Sequence, residues 1–243
     1  MVDPRINVID ERLKGIKRIV AVSSGKGGVG KSLVASTLAL ALAKRGYKVG
    51  LFDLDFTSPS THIILNVKEA KPEEDKGIVP PRIHGLEYMS IIYYSGEEAA
   101  PLRGMDVSNV LIELFSITRW GKLDFLVLDM PPGISDATLD LIRLVKRIEF
   151  LLVTTSSQLA FETLRKLAGL LDSLQVPLIG VVENMKMTES EAVRRQVERL
   201  NIKFLEEIPF DSRLEEAIGS VDKLSGTVFA GKVQNVASKI QLR

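Results

Sequence analysis

The chain has 243 residues, 45% apolar and 26% charged, with 32 basic side chains against 31 acidic ones and a formal net charge of +1. That length suits one large α/β domain, and the near-neutral balance gives no field that would recruit nucleic acid or anionic lipid by itself. No apolar run reaches the length of a bilayer span, and the chain has no cysteine, which excludes disulfides, zinc–thiolate centres and iron–sulfur clusters ligated by this chain.

In chain order, residues 1–17 are mixed in charge and lack the apolar centre of a secretion signal. They read as a lead-in with one helical turn around Val8 to Leu13, and a cytoplasmic location is expected; the domain proper is expected over 18–243. The β-branched run Arg18 to Val22 predicts the first strand. It delivers Ser24-Gly25-Lys26-Gly27-Gly28-Val29-Gly30-Lys31-Ser32, which fits the phosphate-loop pattern G-x-x-x-x-G-K-[ST] with Gly25, Gly30, Lys31 and Ser32 in the fixed places. The helical pattern Leu33 to Lys44 follows, apolar on nearly every side, and stops at Lys44-Arg45-Gly46. A second strand, Tyr47 to Phe52, ends in Asp53-Leu54-Asp55, where ligands bind in open α/β sheets.

Phe56 to Leu65 reads as a loop with a short helix. Lys68 to Gly85 is polar and broken by Val79-Pro80-Pro81, which predicts a surface excursion. Leu86 to Tyr94 alternates as a strand, Ser95 to Gly104 reads as a loop, and Asp106 is placed to cap a helix reaching Thr118. The strand Asp124 to Asp129 is apolar until its last residue, whose carboxylate needs a positive partner if buried. A helix over Ser135 to Lys146, capped by Ser135 or Asp136, comes next. Strand–helix pairs then alternate: Phe150 to Thr154 with Leu159 to Leu174, and Leu178 to Glu183 with Ser190 to Leu200. A last strand, Phe204 to Ile208, leads to Asp211 to Ile218 and a terminal helix from Thr227. This alternation predicts a single α/β domain with a mainly parallel sheet and helices on both faces. His62 and His84 read as loop or surface residues.

The loop carries the chemistry. Glycines without a Cβ let backbone N–H groups crowd a phosphate, and the helix behind adds the positive end of its dipole. Lys31 neutralises β- and γ-phosphates, the Ser32 hydroxyl completes a Mg²⁺ shell, and an Asp after an apolar strand, here Asp129, organises that Mg²⁺.

The loop resembles the deviant Walker A loop of the MinD/ParA/NifH ATPases, marked by its additional lysine, Lys26. Within that class the chain is similar to the Mrp group, the ApbC-like iron–sulfur cluster carrier ATPases. The supporting stretches are Arg103-Gly104-Met105, Trp120 to Asp124, Leu128-Asp129-Met130-Pro131-Pro132-Gly133, Thr154 to Gln158 and Gly180-Val181-Val182-Glu183-Asn184-Met185. The resemblance runs from about Ile16 to Arg213, most of the chain. The resemblance implies a slow ATPase that works as a homodimer in its ATP state. It implies that Lys26 reaches the partner subunit's phosphates, that Asp55 orients the attacking water, and that Asp53 lies near the Mg²⁺ shell while Asp129 holds Mg²⁺ through water. It further implies that the Gly133 N–H senses the γ-phosphate and that Asn184 with Pro209-Phe210-Asp211 holds the adenine.

One departure matters. Carriers of this group usually have a Cys-x-x-Cys pair after the Val-Glu-Asn-Met stretch, whereas this chain reads Lys186-Met187-Thr188-Glu189-Ser190-Glu191-Ala192. Oxygen ligands do not replace thiolates around an iron–sulfur cluster. The expected activity is therefore an ATP-driven switch in iron–sulfur or metalloprotein assembly whose clients bring the cysteines. The alternative is a MinD- or ParA-like ATPase that positions partners on membrane or DNA. Against it, the terminal helix offers only Val233, Val236, Ala237 and Ile240 as an apolar stripe, suited to packing on the sheet. Arg194, Arg195 and Arg199 are interleaved with Glu191 and Glu198, so neither a membrane nor a nucleic-acid signal is strong.

Overall fold

The computed structural model describes residues 3, 5–95, 105–240 and 242. Most of the expected loop Ser95 to Gly104, with Arg103 and Gly104 of the resemblance, and the side chain of Asp106 lie outside the described residues.

Helix α1 (Arg5–Leu13) leads into β1 (Ile16–Ser24), the phosphate loop and α2 (Lys31–Lys44). Then come β2 (Val49–Asp53), α3 (Thr61–Ile64), a small hairpin of β3 (Glu73–Glu74) and β4 (Ile78–Val79), β5 (Arg82–Ile83), β6 (Leu86–Ser90) and α4 (Ile92–Ser95). The second half runs α5 (Met105–Ile117), β7 (Leu123–Asp129), α6 (Asp136–Leu144), β8 (Ile148–Thr154), α7 (Gln158–Ser173), β9 (Leu178–Lys186), α8 (Ala192–Arg199) and β10 (Phe204–Pro209). The helices α9 (Leu214–Ala217), α10 (Val221–Ser225) and α11 (Val228–Lys239) close it.

The main sheet has eight strands in the order β10-β9-β8-β1-β7-β2-β6-β5. Every neighbouring pair is parallel except β5 with β6. This is the mainly parallel α/β sheet that the sequence predicts. Side chains alternate between two apolar layers, as the two-residue period of a strand demands. On β1, Ile19 and Ala21 join the layer that contains residues of α1, α5, α6, α7 and α8. Val20 and Val22 join the layer that contains residues of α2 and α11.

Three expectations are corrected. The lead-in is a nine-residue helix rather than one turn, because Ile9 and Leu13 reach the core and α1 packs on α5. Within the excursion, Arg82–Ile83 pairs with β6 as the antiparallel edge of the main sheet. The strand expected to reach Tyr94 stops at Ser90 and gives way to α4. The terminal helix behaves as its stripe predicts: Val233, Val236, Ala237 and Ile240 are all buried, packed with α2 and β10. Its start is fixed by Thr227, whose hydroxyl accepts from the Ala230 N–H at 3.1 Å. Ser135 stands at the N-cap of α6, yet its side chain makes no capping bond.

Candidate functional site

Strands β1, β7 and β2 are neighbours, and their carboxyl ends align. Val22 pairs with Asp129, and Asp129 pairs with Asp53. Buried parallel strands thus set two carboxylates side by side below the loop that leaves β1. The loop is tied at its base, where the Ser24 hydroxyl donates to Lys26 O at 2.9 Å and the Gly133 N–H donates to Ser24 O at 2.8 Å. Gly25 lies against α7 so closely that a Cβ there would be 2.3 Å from the Thr163 carbonyl carbon. Gly30 ends the loop with φ of 81°, a conformation that favours glycine, and serves as N-cap of α2.

Lys31 is buried, with Nζ 2.5 Å from Asp129 Oδ1, 3.2 Å from Ser32 Oγ and 3.9 Å from Asp55 Oδ2. Burial pushes the Asp129 carboxyl up to about 7, with the Lys31 ammonium working in the opposite direction and the Asp53 charge adding to the rise. Its other oxygen, Oδ2, is buried without a hydrogen-bond partner. An orphaned carboxylate oxygen beside a seryl hydroxyl is a donor set that fits a hard divalent cation such as Mg²⁺.

Asp53 is committed elsewhere. Its Oδ2 accepts from the Thr61 hydroxyl at 2.6 Å and the Thr61 N–H at 3.2 Å, and its Oδ1 accepts from the Asp55 N–H at 3.1 Å. Tyr88 extends this chain, its hydroxyl 2.9 Å from Thr61 Oγ1. Burial raises the Asp53 carboxyl above its ordinary range, and the bonds from Thr61 oppose that rise. Oδ2 therefore anchors α3 and Oδ1 the turn at Asp55, and Asp129 rather than Asp53 has an oxygen left open. Asp55 Oδ1 accepts from the Thr57 hydroxyl at 2.8 Å and the Ser58 N–H at 3.1 Å, so Oδ2 is the oxygen turned towards Lys31.

From the loop a cleft of about 550 Å³ runs to the ends of β9 and β10. Gly27, Gly28, Lys31, Ser32 and Asp55 line one end, and Asn184, Pro209, Phe210 and Asp211 the other. Asn184 is buried and its Nδ2 donates to Val29 O at 2.9 Å. Phe210 is exposed, and Asp211 accepts from the Arg213 N–H while its Oδ2 stays buried and unpaired. Lys26 is exposed and makes no ion pair with any described residue. A larger cavity, about 960 Å³, lies at the amino ends of β8 and β9 and contains none of these residues.

The sequence reading missed Thr61, Tyr88 and Met185. Thr61 and Tyr88 follow no loop motif, and only the pairing of β2 with β6 brings Tyr88 to Asp53. Met185 lines the cleft at φ of 55°, and its only signal was its place after Asn184. Among the described residues no group of three or more His, Asp or Glu side chains could hold a metal ion by themselves.

A glycine loop between strand and helix, a buried lysine at its end and a carboxylate on the adjoining strand define a P-loop NTPase. The chain belongs to the ParA family described as NUBPL iron-transfer P-loop NTPases, whose model matches residues 15–241. An iron–sulfur cluster carrier protein of Haemophilus influenzae is 37% identical over 219 residues, 84% of this chain and 59% of that protein. An iron–sulfur protein required for NADH dehydrogenase, mitochondrial, of Arabidopsis thaliana is 33% identical over 250 residues, covering 94% of this chain and 79% of its own. This chain spans 49% to 62% of the length of several curated carriers that it matches. The nucleotide-binding protein of Archaeoglobus fulgidus, solved in complex with ADP, superposes with a TM-score of 0.77 at 30% identity, covering 91% of this chain and 93% of that one. The cell-division ATPase MinD of Pyrococcus furiosus, at 22% identity and a TM-score of 0.67, covers 92% and 98% and shares the fold.

Proposed function

We propose that this protein binds Mg·ATP, hydrolyses it slowly to ADP and phosphate, and acts as a homodimer in its ATP state during iron–sulfur cluster or metalloprotein assembly in the cytoplasm. Cysteine ligands for any cluster come from its clients. The observation that carries the reading is the buried Lys31 ammonium, 2.5 Å from Asp129 and beside the Ser32 hydroxyl at the foot of the glycine loop.

Phosphoryl transfer asks a protein for positioned charge more than for covalent chemistry. Loop amides receive the phosphates, and Lys31 exchanges Asp129 for their oxygens. Ser32, and Asp129 through water, would hold a Mg²⁺, which when bound would neutralise charge on the phosphate oxygens. Asp55 Oδ2 orients the attacking water. The Gly133 N–H, now on Ser24 O, reaches the γ-phosphate by leaving that carbonyl. Lys26, exposed and unengaged, extends to the phosphates of a second copy. The base lies along Asn184, Pro209, Phe210 and Asp211.

Calorimetry with Mg·ADP tests the foundation. Binding to the wild-type chain and none to Lys31→Ala is expected, whereas heat retained by Lys31→Ala would overturn the assignment. Phosphate release from Lys26→Ala and Asp55→Ala is expected to be slow although Mg·ADP still binds. Wild-type turnover in both variants would refute these two roles.

A further inference from the structure

A glycine loop holds phosphate only while its N–H groups face inward, and in a trans peptide that turns the attached carbonyls outward. At Val29, a buried residue, the outward carbonyl is cut off from water and needs a donor. Asn184 Nδ2 supplies it at 2.9 Å. The next residue, Gly30, has φ of 81° and no side chain to resist rotation of the Val29–Gly30 peptide. A Cβ on Gly30 would sit 2.3 Å from Asn184 Nδ2, which measures how closely the amide is pressed on the loop. Asn184 is itself held. β9 stays in register with β8 through Glu183, and Glu183 accepts from the Ser156 hydroxyl at 2.7 Å.

We propose that Asn184 is a positioning residue for the phosphate loop: its amide pins the Val29 carbonyl outward, so that the Gly30 N–H stays turned into the phosphate cradle. The inference rests on the nucleotide reading above and redefines Asn184 within it. The resemblance gives this side chain to the base, whereas the geometry commits its Nδ2 to the loop and leaves Oδ1 for the base. A carbonyl released at Val29 is free to swing inward, where it repels the anion that the loop exists to hold. Only the NH₂ end of an asparagine can meet a carbonyl. Asn184→Asp therefore sets an oxygen against an oxygen and is worse than simple truncation.

The test compares inorganic tripolyphosphate, which has the phosphates and no base, with ADP. Both are titrated calorimetrically into the wild-type chain, Asn184→Ala, Asn184→Asp and the base-side variant Phe210→Ala, with circular dichroism confirming that each folds. Asn184→Ala is expected to weaken tripolyphosphate roughly tenfold to a hundredfold, as for an orphaned buried carbonyl, and ADP by at least as much, since ADP also loses the Oδ1 contact to the base. Asn184→Asp weakens both further, and Phe210→Ala weakens ADP alone. Wild-type tripolyphosphate affinity in Asn184→Ala would overturn the proposal and return the residue to the base. A second readout needs no anion: amide hydrogen exchange across residues 27–31 of the nucleotide-free protein quickens in Asn184→Ala and not in Phe210→Ala. Unchanged protection there would overturn the proposal even with nucleotide binding intact. A wild-type chain that binds neither ligand would instead remove the proposed function on which the inference stands.

Discussion

At the scale of the residue, the site is governed by one misfit. Asp129 is buried deeply enough that Lys31, although 2.5 Å away, leaves its carboxyl at about 7 rather than the ordinary 3.8. The sign of the linkage is the reverse of the common carboxylate case. Between 3.8 and about 7 the folded chain holds a proton that the unfolded chain has lost, so this group subtracts stability as pH rises through that window and has its full cost above it. A bound divalent cation favours the ionised form, so Mg·ADP binding near pH 6 is expected to expel close to one proton and near pH 8.5 almost none. Calorimetry in two buffers of different ionisation enthalpy reads that number directly. A proton count that does not change between the two pH values would show that nucleotide binding takes no proton from Asp129. Lys31, Ser32 and Asp129 were legible in the sequence because a loop pattern and an apolar strand announce them. The commitment of Asp53 to Thr61 was not, since a carboxylate at a strand end looks the same whether it faces ligand or scaffold.

At the scale of the element, what holds the loop is helix α7 as much as strand β1. A Cβ on Gly25 would meet Thr163 and Leu164 backbone atoms at 2.3 and 2.4 Å, and backbone cannot step aside as a flexible side chain can. Gly25→Ala is expected to separate loop from helix, lowering the thermal midpoint and abolishing ADP binding together. A variant with wild-type melting and wild-type affinity would contradict this packing. The spacing of Ile6, Ile9 and Leu13 held the signal for α1, but the charges of Asp10, Glu11 and Arg12 masked it. Ile9 is fully buried, so Ile9→Ala is expected to cost about 2–5 kcal/mol in chemical denaturation. A loss below about 1 kcal/mol would mean that α1 adds little to the core. The two-residue strand β5 was not legible, because two residues carry no period; its place is decided by the Arg82–Glu87 pairing with β6. The terminal helix packs its apolar stripe on α2 and β10.

At the scale of the whole molecule, the alternation of strands and helices made the fold class readable, since central strands carry continuous apolar runs such as Phe125 to Leu128 and Phe150 to Val153. The partner and the cargo were not readable, because neither is encoded in the residues that build the core. Lys26 bears on the partner: an exposed ammonium in a phosphate loop has no charge to meet within its own described chain. Sedimentation with a non-hydrolysable ATP analogue is expected to give a dimer whose population falls in Lys26→Ala, and an unaltered monomer would refute the nucleotide-driven association. The cargo is bounded by chemistry. With no thiolate in the chain, the donors left are carboxylates, imidazoles and thioethers, and cysteine thiolates are what hold iron–sulfur clusters. Anaerobic reconstitution with ferrous iron and sulfide is therefore expected to leave the chain without thiolate-to-iron absorption after desalting, with or without Mg·ATP. Added back to a cysteine-bearing client in the ATP state, the same chain is expected to raise the rate at which that client acquires its cluster, an effect absent with Lys31→Ala. A visible chromophore retained by the chain alone would mean that this protein carries the cluster itself, through ligands outside ordinary iron–sulfur chemistry.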